Sequence, residues 1–211
     1  MSWMHRILQG DVLGLLTSWG KHFSESGGEL PDGYRRVKGF VFDSSTYYLI
    51  TGFKLRGSDT IRLSFSVTKS CNVFGCYTNT TADDNYSLYA STSSGAKYLR
   101  YDGDTYNSYI PNSQLDERQD VVITPTGTSG MPTDSVITPV EFETSVDLCI
   151  GTTGTSATSA KLSGNIWGNF VVDGRLKLIP CERVSDGELG YYDTHSETFY
   201  EPVGSAPSEI E

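Results

Sequence analysis

The sequence predicts an all-β protein, an antiparallel sandwich or jelly roll, with a short helical segment at its N-terminus. Three observations predict it. Ile61, Leu63, Phe65 and Val67 alternate with Arg62, Ser64, Ser66 and Thr68, the period-two pattern of a half-buried antiparallel strand. Short runs of similar kind recur along the chain, separated by clusters of Gly, Asn, Asp, Pro or Ser. The composition agrees, since 13 Tyr and 22 Gly beside abundant Ser and Thr favour strands joined by tight turns.

In chain order, residues 1–23 stand apart. Ile7, Leu8, Val12, Leu15, Leu16, Trp19 and Phe23 recur at spacings of three and four, a helical period that Gly10, Gly14 and Gly20 interrupt. Two readings of this stripe stay open: a short helix packed on its own domain, or an anchor that docks on a partner subunit. The run from Ser24 to Gly33 is a linker by composition. The organisation expected is a helical anchor and linker over 1–29, the β domain over 30–202, and a polar, frayed tail over 203–211.

Further strands are expected at Val73 to Tyr77, Tyr86 to Ala90, Lys97 to Tyr101, Asp120 to Thr124, Val136 to Phe142 and Val146 to Gly151. Ile166 to Val172 and Arg175 to Ile179 flank Asp173-Gly174, a two-residue hairpin signal. Long loops are expected at Tyr101 to Gln119 and at Thr124 to Thr138, the second carrying Pro125, Gly127, Gly130 and Pro132.

The totals narrow the function. A formal net charge of −10 over 211 residues argues against nucleic acid, since such a chain neutralises no phosphates. No stretch approaches the roughly 18–20 apolar residues that span a bilayer. The N-terminus lacks the basic region, compact apolar run and cleavage site of an export signal. Cys71, Cys76, Cys149 and Cys181 contain no C-x-x-C pair, which argues against zinc and thioredoxin-type chemistry and for buried free thiols.

The run from Leu30 to Leu55, LPDGYRRVKGFVFDSSTYYLITGFKL, supplies a Leu-Pro-x-Gly-Tyr phrase, a strand, a Ser-Thr-rich turn and a Tyr-Leu-Ile-Thr-Gly phrase. Asn72-Val73-Phe74-Gly75, Leu148 to Gly151 and Asn165-Ile166-Trp167-Gly168 follow in order. Leu178-Ile179-Pro180-Cys181, then Gly187 to Asp193 and Thr198-Phe199-Tyr200, close the series. Over about residues 30–202 this series resembles a laminin-G-like, concanavalin A-like jelly-roll family found in proteins of gut bacteria and their phages. The chain departs from that pattern at Gly39-Phe40-Val41-Phe42, in a longer Pro-rich loop after Ile123 and in a shorter final hairpin.

The resemblance implies a concanavalin A-like jelly roll and a bacteriophage virion component: a head fibre, a capsid decoration or a tail-associated adhesion module. It implies location on the particle, contact with other virion proteins through the N-terminal segment, and attachment to host-surface glycan. A homo-oligomer is compatible, although no heptad run specifies one. Two other classes remain: a bacterial carbohydrate-binding module, and a glycoside hydrolase.

A retaining hydrolase needs two carboxylates about 5–5.5 Å apart. The nearest candidate is Glu141-Phe142-Glu143, and no further acidic residue follows at the required spacing. It is read instead as the solvent face of a strand with Val140 and Phe142 inward. His5, His22 and His195 form no triad or metal pattern, so no enzyme activity and no cofactor is expected. Calcium would find carboxylates at Asp83-Asp84 and Asp102-Gly103-Asp104, but ordinary Asp turns explain both. Glycan contact would use aromatic faces beside short polar groups. Tyr101, Asp102, Asp104, Tyr106 and Tyr109 form such a mixture, and Trp167 is a further candidate. The sequons at Asn79 and Asn85 are read as surface turns.

Overall fold

The structure, a computed structural model, describes residues 30–43, 47–76, 85–92, 96–101, 104–109, 116–130, 138–153, 161–204 and 207–211. These residues hold sixteen strands and no helix. The first half of the chain supplies β1 (Tyr34–Arg36), β2 (Gly39–Asp43), β3 (Leu49–Ile50), β4 (Ile61–Val67), β5 (Cys71–Cys76), β6 (Tyr86–Ala90), β7 (Ala96–Tyr101) and β8 (Asp104–Tyr109). The second half supplies β9 (Gln119–Thr124), β10 (Gly127–Ser129), β11 (Cys149–Ile150), β12 (Ser163–Val172), β13 (Leu176–Arg183), β14 (Glu188–Asp193), β15 (Thr198–Tyr200) and β16 (Ser208–Glu209).

The strands form two antiparallel sheets that fit a β sandwich. The larger has ten strands along β10-β9-β4-β12-β13-β14-β15, with β1 on β13 and β2 between β12 and β16. The smaller has six, in the order β3-β11-β5-β6-β7-β8. The chain therefore passes between the sheets repeatedly, and its central pairings join distant segments: β4 lies between β9 and β12.

One core joins the sheets. Ile61, Leu63, Phe65 and Val67 of β4 and Ile166, Phe170 and Val172 of β12 pack with Phe74, Tyr86, Leu88 and Ile150 of the smaller sheet. Phe74 meets Phe170 edge-on with ring centroids 5.5 Å apart, which fixes the two layers against each other. The alternation in residues 61–67 marks which face of β4 fills the core, but the strand is not half-buried as expected, because Ser64 and Ser66 on its other face are buried too. The Asp173-Gly174 hairpin forms as expected, with the Arg175 N–H donating to the Val172 carbonyl at 3.0 Å.

Several expectations need correction. The Tyr101 to Gln119 segment is not one long loop, because Asp104–Tyr109 doubles back on β7 as a hairpin strand. Thr124 to Thr138 likewise contains β10, paired with β9 through a tight turn. The strand expected at Val136 to Phe142 is absent from its described residues 138–142; Val140 is exposed rather than inward, whereas Phe142 packs against the core as expected and its carbonyl accepts from the Gly57 N–H at 2.9 Å. A Pro at 139 removes a ladder donor there. The tail is not frayed over 207–211: β16 pairs with β2, and Arg35 holds Glu182 at 2.6 Å and Glu209 at 2.8 Å, tying β1, β13 and β16 together. The helical stripe of residues 1–23 lies outside the described residues.

Candidate functional site

The outer face of the larger sheet carries the most distinctive group of side chains. Leu63, Phe65 and Ile166 belong to the core, so Ser64, Ser66, Asn165 and Trp167 point the other way. Register then sets a row across four strands: Asp120 of β9, Ser64 of β4, Trp167 of β12 and Gly39 of β2. Arg118, just before β9, completes the group.

Its polar members are joined. The Arg118 guanidinium donates from Nε to Asp120 Oδ1 at 3.0 Å and from Nη2 to Ser64 Oγ at 3.3 Å. The Ser64 hydroxyl in turn donates to Asp120. Arg118 Cζ lies 5.9 Å from the centroid of the Trp167 ring, at the outer limit of a cation–π contact. The indole is half-buried, and Ser64 beside it is buried.

Two backbone features shape the ground under the ring. A Cβ at Gly39 would stand 2.1 Å from the Ile166 carbonyl oxygen, so β2 approaches β12 too closely for any side chain there. Trp167 thus has Gly39 and Ser64 as its cross-strand neighbours, two of the smallest residues available. Beyond Trp167 the register slips: four positions along β12, to Val171, match two along β4, from Ser64 to Arg62. Gly168 turns this bulge with a φ of 62°. Asn169 sits within it, and its Oδ1 is shielded from solvent without a hydrogen-bond partner.

The residues predicted for glycan contact divide between the sheets. Tyr101 pairs with Asp104, and Tyr106 with Leu99, across the β7–β8 hairpin of the smaller sheet. Tyr109 closes the other end of the same hairpin opposite Ala96. Asp102 lies outside the described residues, and Trp167 stands on the larger sheet. The anchor positions Ile7, Leu8, Val12, Leu15, Leu16 and Trp19 also lie outside the described residues. The partners of Trp167, namely Arg118, Asp120 and Ser64, were missed in the sequence. Their local pattern puts Ser64 on an outward face, but only the β4–β9 register brings Asp120 beside it.

Other candidates resolve into structural roles. Glu143 accepts from Arg56 Nε at 2.8 Å, and that hydrogen bond holds its carboxyl below the usual range. Asp59 is buried and receives both contacts of the Arg175 Nη1, at 2.8 and 2.7 Å, along with the Arg56 N–H at 2.7 Å. His195 occupies an exposed turn, where its backbone N–H donates to Asp193. Among the described residues no three His, Cys, Asp or Glu side chains gather as a metal site. Asp83-Asp84 and Asp102-Gly103 lie outside the described residues, and Asp104 opens β8.

All four cysteines are buried free thiols. Burial pushes Cys71, Cys149 and Cys181 up to about 11 and Cys76 up to about 12. At neutral pH they are therefore protonated packing groups rather than nucleophiles. Compared with known proteins, the chain matches no family model and no curated protein.

Proposed function

We propose that this chain is a non-enzymatic, concanavalin A-like jelly-roll module displayed on a bacteriophage particle, where it serves attachment to the host surface. One observation carries the reading. The ordered phrases that resemble the laminin-G-like family fall on the strands of the sandwich, in sequence. Leu30 to Tyr34 leads into β1, Tyr48 to Phe53 spans β3, and Asn72 to Gly75 lies in β5. Leu148 to Gly151 contains β11, Asn165 to Gly168 lies in β12, Leu178 to Cys181 lies in β13, and the two closing phrases cover β14 and β15. That placement on strands supports reading the series as fold-bearing. Location on a particle comes from analogy with that family.

Repeated passage between sheets, with β4 between β9 and β12, supports the jelly-roll form. The fate of the acidic pair supports the non-enzymatic half: Glu143 is engaged by Arg56, outside any paired strand of the sheets. The apolar stripe from Ile7 to Trp19 supplies the attachment segment in this reading.

Mass spectrometry of purified particles tests the proposal. The chain is expected among the virion proteins, and deletion of residues 1–23 is expected to leave a folded protein that no longer joins the particle. Absence of the full chain from purified particles would sink the display reading.

A further inference from the structure

We propose that the core beneath β2 and β14 contains a binding site for one water molecule, shared by the hydroxyls of Tyr47 and Tyr191. The inference is independent of the display reading, because it concerns how the sandwich is closed where the chain crosses between its sheets.

Placement brings the two tyrosines together. Phe40 and Phe42 are successive inward side chains of β2, about 7 Å apart along the strand, and each contacts one tyrosine ring. Tyr191 of β14 meets Phe40 edge-on with centroids 5.0 Å apart, and Tyr47 lies tilted on Phe42 at 4.6 Å. Both tyrosines belong to the one core, at 0% exposure for Tyr191 and 4% for Tyr47. Burial pushes both phenols above the usual tyrosine range, and the nearness of Tyr47 adds to the rise at Tyr191.

Both hydroxyl oxygens are shielded from solvent, and neither has a hydrogen-bond partner among the described residues. They therefore do not bond each other, yet each lies within reach of the other's charge. Two polar groups separated in this way are joined by a bridging water. A phenol that gives up solvent on folding and gains no partner destabilises the fold, and two side by side double that loss. Phenylalanine avoids it, and the same core uses phenylalanine at 40, 42, 65, 74 and 170. Each phenol both donates and accepts, so one water donates to the first and accepts from the second. A buried water takes about two to four such partners.

Charge selects the class of ligand. A phenol held un-ionised is a poor ligand for a metal ion. The Glu188 carboxylate, which Tyr47 also feels, disfavours an anion. A small neutral molecule that donates and accepts is what remains, and water is the smallest.

The position gives the site its effect. β2 ends at Asp43, the Tyr48 backbone bridges Val203, and β3 begins at Leu49, so Tyr47 stands where the chain leaves the larger sheet for the smaller. The shared water ties this crossing to β14.

The test uses the purified full chain with Tyr47→Phe, Tyr191→Phe and the double variant, compared by urea unfolding. If a water joins the hydroxyls, each single variant strands the opposite phenol and lowers the urea midpoint. The double variant strands none and is expected to lose no more than the worse single variant. If the hydroxyls are dry and unpaired, each phenylalanine removes a destabilising group and the midpoint rises. Magnetic relaxation dispersion of the water oxygen nucleus supplies a second measurement, which on the parent needs no variant to fold. It is expected to detect long-lived internal water in the parent and one such molecule fewer in the double variant. A raised midpoint in either single variant, a double variant at the sum of the two single losses, or an absence of long-lived internal water in the parent would each overturn the shared site. An unchanged number of such waters in the double variant would do the same.

Discussion

The two faces of the larger sheet use the same strands for opposite purposes. On the inner face of β4 and β12, Ile61, Leu63, Phe65, Ile166 and Phe170 are fully buried among other apolar side chains. On the outer face, Ser64 and Ser66 are as buried, at 1% exposure each, yet they are small and polar. Burial therefore does not distinguish the faces; what fills the space does. The inner face is held by area removed from water, which any apolar side chain of the right size contributes. The outer face depends on particular hydrogen bonds, and those have value only while each partner is in place.

The widest gap between the faces should appear on truncating an inner aromatic. Phe170 packs edge-on against Phe74 across the two layers. Phe170→Ala is expected to lose about 3–5 kcal/mol in urea unfolding, from lost transfer energy and the cavity left behind. A loss below about 1 kcal/mol would show that the layers are not closed on one core.

Asp193 probes the border between the two kinds of face. It follows Tyr191 by two positions on β14 and so shares its inward side, but it is a carboxylate at the sheet's end. Burial pushes its pKa up. The Ser196 hydroxyl and the backbone N–H groups of His195, Lys177 and Ser196 act the other way and leave it lowered overall. A carboxyl with a lowered folded pKa stabilises the protein above its unfolded pKa, about 3.9, and that contribution disappears as pH falls through the folded value. Asp193→Ala is expected to cost about 1–3 kcal/mol at neutral pH. The difference from the parent should shrink as pH drops below about 4. A pH-independent difference would mean that the side chain's shape, not its charge, holds the turn.

The inner face was the legible one. Alternation in residues 61–67 announced β4, and Asp173-Gly174 announced the β12–β13 hairpin, because both are signals within one short stretch. The hairpin of β7 and β8 was read as loop, since Tyr, Asn, Asp and Ser mark turns and polar strands alike. At 138–142 the opposite error arose: an apolar run with a Pro reads as a strand, but no partner strand receives it. The site was legible only at Trp167. Arg118, Asp120, Ser64 and Gly39 reach it from three other segments of the chain, and a register joining distant segments leaves no trace in any one of them. The N-terminal stripe lies outside the described residues.

The smallest effect sharpens the comparison most. Ser64 donates its hydroxyl to Asp120 and accepts from Arg118, and it is buried as deeply as the core. Were its burial of the inner kind, Ser64→Ala would be neutral or favourable, since a methyl replaces a hydroxyl in a dry place. Were it of the outer kind, the loss would be about 1 kcal/mol, because Asp120 gives up one donor while keeping Arg118 at 3.0 Å. The outer reading is expected, and thermal unfolding of Ser64→Ala beside Ser66→Ala measures it. Ser66 lies opposite Asn165 and not in the Arg118–Asp120 group, so it supplies the control for burial alone. Equal behaviour of the two variants would reduce Ser64 to a filler. A loss confined to Ser64→Ala would show that the charged pair beside Trp167 depends on this hydroxyl for its placement.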